Sequence, residues 1–348
     1  MNNNLLRNQS HDLTEIENIY NRLFPLPFDE HAGGCRIIPL CDSPVVNWAM
    51  KYHLFESREL AAQSVRDYAI GKLCARLPVI SENNRFIVGK WLLWLCVFDD
   101  LMEKLRDCVG EEVEYTRIVT QFSYLFVEPY FKTELKGSHN ETLCDLAAAL
   151  IDINLSLKTC AIDRPYQLTN YVSEFQKFLQ TYLWEFQISR GRKKLSFNQY
   201  LTRRGTSISF KVLFEMALLI KDDQISIWQR KSWVENRLIE DASSIVWIAN
   251  DLIGLKKDID NSCRFNGALI LSLERQWTLT ESVAYLVDQC YHPAVKRLVD
   301  YGKESGPTSG KDIDFILFLV SCVCWWHVDT QRYIPAGSSL FCPNYERV

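Results

Sequence analysis

Apolar residues recur at spacings of three and four along most of the chain from residue 43 onward. One representative face carries Leu143, Leu146, Ala147, Leu150, Ile151 and Leu155. This spacing places the apolar side chains on one side of an amphipathic helix. The sequence shows neither strand-like alternation bounded by Asn-Gly or Asp-Gly turns nor a βαβ rhythm. The pattern therefore predicts one α-helix after another.

Short polar or proline- and glycine-containing segments separate the predicted helices. We predict breaks at residues 76–78, 136–140, 163–165, 189–194, 221–223 and 304–312. No linker divides the sequence into halves, and no internal repeat of constant period is visible. The prediction is a flexible N-terminal segment, residues 1–15, followed by one all-α domain, residues 16–348. This domain is expected to be a bundle of about ten or more helices.

Composition narrows the classes of partner. The chain has 348 residues, of which 47% are hydrophobic and 24% are charged, as in ordinary globular proteins. Its net charge of −4 provides no basic excess for neutralising phosphates, so we expect no nucleic-acid partner. The apolar runs that contain Cys96 and Cys322 are too short or too interrupted to span a bilayer, so we expect no stable membrane insertion.

Cysteine usage indicates the compartment. The twelve cysteines are scattered and form no CxxC pair at zinc spacing. The first twenty residues lack the basic start and apolar core that direct secretion. We interpret the cysteines as reduced thiols of a cytoplasmic protein, which is expected to be a monomer or a homodimer.

Three carboxylates, Asp99, Asp100 and Glu103, lie at the end of an apolar helix. Residues i and i+4 share a helix face, so Asp99 and Glu103 lie one turn apart with Asp100 beside them. Hard oxygen ligands of this kind suit Mg²⁺, which keeps several waters and takes one or two carboxylates plus substrate phosphate. The alternative is a solvated acidic helix end. The apolar run 92–98 directly before these acids instead favours a rim above a buried helix.

The same helix predicts an apolar floor beneath these acids. Leu92, Leu95 and Cys96 lie seven, four and three residues before the first aspartate and share its face. Trp94 and Phe98 point elsewhere and are expected in the core. An acidic rim above an apolar floor fits a site that binds metal at its mouth and hydrocarbon inside.

Asn250, Gly254 and Asp258 recur every four residues and predict one stripe along a second helix. Asparagine and aspartate oxygens are again hard ligands, and Lys257 adds a cation beside them. The alternative is an ordinary helix C-terminus whose lysines complement the helix dipole. The face behind the stripe is mostly apolar and consists of Ser243, Val246 and Trp247.

Two arginine positions add phosphate-binding chemistry. Arg204 precedes a stretch rich in Gly, Thr and Ser, which is a poor helix interior, so we expect a helix break just after it. Arg332 and Tyr333 lie near the C-terminal end of the sequence. A guanidinium is a rigid fork that matches phosphate oxygens, and a tyrosine hydroxyl adds one donor. Isolated arginines are usually surface salt-bridge partners, so the interpretation depends on the combination of motifs.

The order and spacing of these motifs resemble class I terpene synthases of the microbial, single-domain type over roughly residues 43–335. The Asp-Asp-x-x-Glu sequence at 99–103 resembles the aspartate-rich metal motif of that family. Asn250 and Asp258 fall at the first and last ligand positions of its second metal motif. The resemblance implies the class I terpenoid synthase fold, an all-α bundle around a central apolar cavity.

The resemblance also implies a role for each candidate residue. The implied metal ligands are Asp99, Asp100, Glu103, Asn250 and Asp258. They would hold three Mg²⁺ ions, with Mn²⁺ as a possible substitute. The implied diphosphate-binding residues are Arg204, Lys257, Arg332 and Tyr333, and the catalytic set is Asp99, Arg204, Arg332 and Tyr333. The implied pocket residues are Leu92, Leu95, Cys96, Ser207, Ile208, Ser243, Val246, Trp247 and Trp326.

Three positions depart from the family pattern. The second motif usually has Ser or Thr where this chain has Gly254, so a water must complete that metal shell. It usually has Glu where this chain has Asp258, whose side chain is one methylene shorter. Ile208 stands where a small residue is common and is expected to narrow the cavity.

The implied reaction is the Mg²⁺-dependent ionisation of a linear prenyl diphosphate, followed by cyclisation to a terpene hydrocarbon or alcohol with release of diphosphate. Farnesyl diphosphate is the expected substrate, and geranylgeranyl diphosphate is the second candidate. One alternative is a chain-elongating prenyl diphosphate synthase, which typically has two Asp-rich motifs. Another is a non-catalytic helical interaction protein or a degenerate synthase. We also expect the polar segments 259–267 and 304–312 to close over the site.

Overall fold

The computed structural model describes residues 23–24, 26, 43–77, 80–108, 112–126, 141–191, 194–221, 226–304 and 306–333. The described residues form helices joined by turns and include no β-strand. The all-α prediction is therefore confirmed. The predicted N-terminal segment 1–15 and the predicted break at 136–140 lie outside the described residues.

The α-helices are numbered here in chain order. They are α1 Ser43–Lys51, α2 Arg58–Asp67, α3 Ile70–Arg76, α4 Glu82–Cys108, α5 Glu112–Tyr124, α6 Glu141–Cys160, α7 Pro165–Arg190, α8 Phe197–Ser207, α9 Phe210–Ile220, α10 Ile227–Glu235, α11 Leu238–Ile253, α12 Leu255–Asp260, α13 Gly267–Arg275, α14 Leu279–Tyr285, α15 His292–Glu304 and α16 Gly306–Asp329. A π-helical turn, Leu286–Tyr291, joins α14 to α15, and a 3₁₀ turn, Gln331–Tyr333, follows α16.

Helix α11 is central to the part of the bundle that holds the second motif. It is buried on most of its circumference, as Ile245, Val246, Ile248 and Leu252 show. A helix that is apolar nearly all round packs on several sides rather than along one stripe. Accordingly, α11 packs against α15 and α16 and contacts α8, α9, α10 and α13.

Helix α4 positions the first motif. Trp94 and Phe98 are fully buried and stack with 4.8 Å between their ring centroids, as predicted for core residues. The Trp94 indole N–H donates to the carbonyl of Leu146 on α6 at 2.9 Å, which satisfies its buried polar atom. This packing holds one face of α4 in the core and leaves its acidic segment at the rim.

Most of the predicted helix breaks are confirmed. Helix α3 ends at Arg76, α7 at Arg190 and α9 at Ile220. Helix α7 begins at Pro165. Proline has no backbone N–H, and this costs no helical hydrogen bond in the first turn, where backbone N–H groups have no partner within the helix. The break predicted after Arg204 is also present, because α8 ends three residues later and α9 starts after a residue with φ of 59°.

The predicted loop at 304–312 is wrong. Helix α15 ends at Glu304 and α16 already begins at Gly306, so the backbone of 306–312 is helical. Its proline, Pro307, lies in the first turn of α16, where a proline is tolerated. The proline and glycines that indicated a loop therefore mark a helix start, and this segment is not the long closing loop that we expected.

The predicted stripe through the second motif is bent. Helix α11 ends at Ile253 and α12 starts at Leu255, with Gly254 between them. The spacing of four is nevertheless kept, because Gly254 N donates to Asn250 O at 2.8 Å and Asp258 N donates to Gly254 O at 2.9 Å. The three motif residues therefore remain on one side of the chain across the bend.

Two further predictions concern the environment of the chain. None of the described helices combines the length and apolar character needed to cross a bilayer. Among the described residues, Cys96, Cys160, Cys263 and Cys290 are free thiols.

Candidate active site

The first motif is a pair of aspartates joined by one guanidinium. Arg332 Nη2 lies 2.9 Å from Asp99 Oδ2 and 2.9 Å from Asp100 Oδ1. The second oxygen of each carboxylate accepts a tyrosine hydroxyl: Tyr182 donates to Asp99 at 3.0 Å, and Tyr68 donates to Asp100 at 2.9 Å. The two aspartate side chains are 47% and 38% exposed, so these acids are held in place while they remain accessible.

Arg332 reaches this pair because the end of α16 is anchored. Asp329 forms ion pairs with Lys72 at 3.1 Å and with Arg76, both on α3. The Thr330 hydroxyl donates to the carbonyl of Asp67 at 3.0 Å. The 3₁₀ turn then directs Arg332 into the bundle, where its side chain is only 9% exposed. Burial alone would lower the pKa of this guanidinium, but the neighbouring acids raise it well above its usual range.

The next residue along the chain contacts the second motif. Asn250 Nδ2 donates to the hydroxyl of Tyr333 at 2.7 Å. Lys257 Nζ lies 5.9 Å from the centroid of the same tyrosine ring. Arg332 and Tyr333 are consecutive, so the two metal motifs lie on either side of one short turn. The structure therefore brings together both motifs and the C-terminal pair that the sequence singled out.

The Arg204 guanidinium contacts the second motif and does not extend into solvent. Its Nη2 donates to Asn250 Oδ1 at 2.5 Å, and its Nε and Nη2 donate to Asp251 Oδ1 at 3.0 and 2.7 Å. Asp251 is fully buried, and its other oxygen accepts the Tyr200 hydroxyl at 2.6 Å and Gly267 N at 2.8 Å. A buried carboxylate with four donors is well compensated. Asp251 was given no role from the sequence.

Asp258 is held by an amide from a later segment. Asn266 Nδ2 donates to Asp258 Oδ2 at 2.8 Å. Burial raises the pKa of Asp258 to about 6, and the Asn266 hydrogen bond opposes that increase. A Cβ on Gly254 would lie 3.6 Å from Asp258 Oδ2, 3.1 Å from Asn250 O and 3.4 Å from Tyr333 Cδ1. The missing side chain of Gly254 would therefore point into the space that these three residues border.

Glu103 contacts Arg106, whereas the two aspartates share Arg332. Glu103 Oε1 lies 3.4 Å from Arg106 Nη2, and its side chain is nearly half exposed. Among the residues that the structure describes, no group of three His, Cys, Asp or Glu side chains converges as a metal cluster. The role of Glu103 as a metal ligand stays a prediction.

Glu185 is a partly buried acid beside the first motif, with its side chain 17% exposed, that the sequence did not indicate. Its Oε2 lies 3.6 Å from Arg106 Nη1. Burial raises the pKa of Glu185 to about 7; Arg204 and Arg106 oppose this increase, and Asp99 adds to it. A carboxylic acid that titrates near neutrality at a cluster of charges is typical of functional sites.

The predicted pocket residues occupy several kinds of position. Leu92 and Cys96 are buried on α4 and Leu95 is partly buried, while the Cys96 carbonyl accepts Arg332 Nη1 at 3.2 Å. Trp326 is buried, and its indole N–H donates to the carbonyl of Tyr68 at 2.7 Å. Whether these side chains line a substrate cavity stays a prediction.

The remaining pocket candidates lie behind the second motif. Trp247 packs edge-on against Tyr200, with 5.9 Å between ring centroids. The Ser243 hydroxyl donates to the carbonyl of Gly205 at 2.6 Å, which joins α11 to α8, and Val246 beside it is fully buried. Ser207 Oγ accepts Arg204 Nη1 at 3.2 Å. Partly buried Ile208 packs against the core.

The candidate metal-ligating oxygens form two pairs, one in each motif, and both pairs are of a type that binds divalent cations. Arg332 places a positive charge within 2.9 Å of one oxygen from each aspartate, so this pair accommodates a cation between its carboxylates. Asp258 Oδ2 and the backbone carbonyl of Asn250 border the space beside Gly254. Mg²⁺ requires only one or two carboxylates and completes its shell with water and phosphate oxygens. The residues present therefore suit Mg²⁺ that arrives together with a phosphorylated substrate.

The sequence pattern did not indicate several residues of the site. The tyrosines Tyr68 and Tyr182 have no spacing signal that relates them to the first motif. Asn266 could have been recognised as a helix N-cap, because an asparagine before an apolar run is a common helix start. Its contact with Asp258 depends on the folded loop and has no such signal.

Known proteins resemble this chain in sequence. The model of terpene synthase family 2, C-terminal metal binding, matches residues 90–292, which is more than half of the chain. A curated relative is the (+)-T-muurolol synthase of Roseiflexus castenholzii, which is named as cyclizing (2E,6E)-farnesyl diphosphate. It is 22% identical over 255 residues, covering 72% of this chain and 73% of the relative.

Solved structures share the fold. Hedycaryol synthase in complex with nerolidol has a TM-score of 0.61 at 16% identity, and the match covers 88% of this chain and 96% of that one. Germacradien-4-ol synthase from Streptomyces citricolor has a TM-score of 0.64 at 15% identity, covering 86% and 94%. At such identities the likeness shows the fold alone, whereas the family match covers both metal motifs and Arg204. The chain belongs to terpene synthase family 2, and it is a class I terpene synthase.

Proposed function

We propose that the enzyme ionises farnesyl diphosphate with the help of bound Mg²⁺ and cyclises the resulting carbocation to a sesquiterpene. The substrate choice is supported by the muurolol synthase relative, whose name specifies farnesyl diphosphate. Three Mg²⁺ ions are part of this proposal, and Mn²⁺ is expected to substitute. We also propose a cytoplasmic enzyme that is either a monomer or a homodimer.

One observation carries the proposal. Two consecutive residues, Arg332 and Tyr333, contact the first and second motifs at distances of 2.9 and 2.7 Å. The carboxylates of the first motif and the side-chain amide of Asn250 therefore face the same turn. Lys257 beside Tyr333 makes no ion pair among the described residues and is available for an anion. Alternating acidic and basic groups of this kind suit a metal diphosphate.

In the proposed reaction, Asp99, Asp100 and Glu103 on one side and Asn250 and Asp258 on the other would hold Mg²⁺. When bound, Mg²⁺ supplies Lewis-acid stabilisation of the departing diphosphate oxygens. This chain's cations act on the same group: a guanidinium matches two phosphate oxygens at once, and an ammonium adds a point charge. The implied diphosphate-binding residues are Arg204, Lys257, Arg332 and Tyr333.

Charge placed in advance lowers the barrier to ionisation. Arg332 and Arg204 are held by acids before substrate arrives, so their reorganisation during bond cleavage is small. The apolar side chains below the rim, including Leu92 and Cys96, keep water away from the carbocation. The indole of Trp326 is oriented by its hydrogen bond to Tyr68 and would stabilise a nearby cation by about 0.5–2 kcal/mol.

The test is a substrate panel with two readouts. The purified protein is incubated with Mg²⁺ and geranyl, farnesyl or geranylgeranyl diphosphate, and both diphosphate release and the organic extract are measured. We expect metal-dependent release with farnesyl diphosphate and a cyclic C15 product, and no release in the presence of a chelator. Cyclic C20 products from geranylgeranyl diphosphate alone would replace the proposed substrate.

The same panel distinguishes the alternatives. Addition of isopentenyl diphosphate would yield a longer prenyl diphosphate if the enzyme elongated chains. Absence of diphosphate release with every substrate would indicate a degenerate synthase. Either outcome would contradict the proposed reaction.

A further inference from the structure

The second metal motif is assembled from three segments that meet at the start of α13. Asn250 lies in the last turn of the buried helix α11, and Asp258 lies on the six-residue helix α12 beyond the bend at Gly254. Such a short helix makes few contacts of its own. Another contact is therefore needed to fix the position of Asp258 relative to Asn250. The described contacts show one, at Asn266.

Asn266 is fully buried, and every polar atom of its side chain is engaged. Its Nδ2 donates both to the carbonyl of Asp251 at 2.6 Å and to Asp258 Oδ2 at 2.8 Å. Its Oδ1 accepts Ala268 N at 3.0 Å, which caps α13. A primary amide has two hydrogens to donate, so these contacts use both of them. One carboxamide therefore links the end of α11, the side chain of Asp258 and the start of α13.

We propose that Asn266 is a positioning residue for the second metal motif. Its side-chain amide holds the short Asp258 carboxylate at the distance from Asn250 that metal binding requires. The inference rests on the proposed Mg²⁺ function. Among the described residues, Asp258 accepts its side-chain hydrogen bond through Oδ2 only, which leaves Oδ1 for a cation. Removal of hydrogen-bond partners of metal ligands typically weakens metal affinity by about 10–100-fold.

The same segment also constrains Arg204. Gly267 N, the neighbour of Asn266, donates to Asp251 Oδ2, and Asp251 Oδ1 accepts Arg204. The start of α13 therefore helps to position both Asp258, a candidate metal ligand, and Arg204, a candidate diphosphate-binding residue. A displacement of this segment would change metal and diphosphate binding together.

The test compares two buried asparagine substitutions. Asn266→Ser keeps a helix N-cap, because serine caps about as well as asparagine, but its hydroxyl is too short to bridge Asp251 and Asp258. Asn154→Ser on α6 removes a buried amide of the same size that lies outside the site and makes no side-chain hydrogen bond to the described residues, so it serves as the control for the loss of buried amide packing. Mn²⁺ binding in the presence of inorganic diphosphate is measured by electron paramagnetic resonance, and thermal melting is recorded for each variant.

We expect the Mn²⁺ dissociation constant to rise at least about tenfold in Asn266→Ser and to change less than about twofold in Asn154→Ser. A second comparison uses Asp258→Glu, whose longer carboxylate needs less help to reach the cation. In that background we expect Asn266→Ser to weaken Mn²⁺ binding by less than about threefold. If Asn266→Ser does not fold, Asn266→Thr replaces it in both comparisons, because threonine also caps and fills more of the space.

Three results would overturn the inference: unchanged Mn²⁺ binding in the Asn266 variant, an equal loss in Asn154→Ser, or an equal loss in the Asp258→Glu background. The last two would show an effect on the fold rather than on the carboxylate. Failure of the proposed function looks different, because the unsubstituted protein would then bind no Mn²⁺ with diphosphate.

Discussion

The two candidate metal motifs of this enzyme differ in their exposure to solvent. Asp99 and Asp100 are 47% and 38% exposed and are joined by one buried guanidinium. In the second motif Asp251 is fully buried, and its carboxylate joins α11 to α8 and α13. The first motif is therefore a charged rim on α4, which continues past these acids to Cys108 and does not end at them as the sequence predicted, whereas the second is part of the core. We expect substitutions in the rim to remove activity and substitutions in the core motif to remove stability.

Asp99→Asn tests the rim and should have the largest effect. The substitution removes a charge from the proposed metal site but leaves the size of the side chain unchanged. We expect kcat/KM for diphosphate release to fall about 10³-fold. The free energy of unfolding should change by less than about 1 kcal/mol, because the lost ion pair is half exposed on one side.

The control is Asp163→Asn. Asp163 is exposed and lies in the turn before α7, away from Tyr182, so this variant should keep full activity. Near-normal turnover in Asp99→Asn would show that the rim has no role in catalysis.

Asp251→Ala tests the core motif. It leaves the buried Arg204 guanidinium without its main partner, and uncompensated buried charges of this kind cost about 3–5 kcal/mol. Urea denaturation should show a loss of this order. The matched change in the rim, Asp100→Ala, should cost less than about 1 kcal/mol. Similar losses in both variants would remove the distinction between the motifs.

Glu185→Gln tests the charge buried beside the rim. The pKa of Glu185 is raised to about 7, so the folded protein binds this proton more tightly than the unfolded chain does. The stability from that proton is present below about pH 4.5 and is lost as pH rises through 7. The Gln variant should therefore be more stable than the parent at pH 8, by about 2–3 kcal/mol. At pH 5 the difference should be small.

Urea denaturation at pH 5, 6, 7 and 8 follows this difference. A difference that does not change with pH would mean that Glu185 keeps an ordinary pKa.

Gly254→Ser is the smallest change and sharpens the comparison within the second motif. A Cβ at this position meets Asn250 O at 3.1 Å, so the backbone must give slightly, and the hydroxyl would enter the space beside Asp258. We expect Mn²⁺ affinity in the presence of diphosphate to increase by about three- to tenfold. Gly254→Ala adds the Cβ without the oxygen and should show no gain. An equal gain in both variants would assign the effect to backbone stiffening.

Much of the fold followed from local rules. The three- and four-residue apolar spacing correctly predicted helices, and the breaks near Arg76, Pro165 and Ile220 follow from short-range chemistry. The segment 306–312 was the exception, because proline and glycine are as compatible with a helix start as with a loop. Which of the two forms depends on what the following apolar residues pack against.

The site divides in the same way. Motif spacing singled out Asp99, Asn250 and Arg332 but did not indicate that Tyr182 and Tyr68 support the aspartates. Glu185 was also missed, because its proximity to Arg106, Arg204 and Asp99 arises only when distant helices pack together.

Local sequence is enough to predict that the chain is helical, which residues have oxygen or guanidinium groups, and how those groups are spaced along each helix. These properties depend on backbone hydrogen bonds and side-chain chemistry within a few residues. By contrast, the contact of Arg332 with Asp100 across 232 positions and the contact of Asn266 with Asp258 are visible only in the folded chain. Such contacts form between helices that pack together from distant parts of the chain, and burial there, rather than residue type alone, sets the strength of each charge interaction.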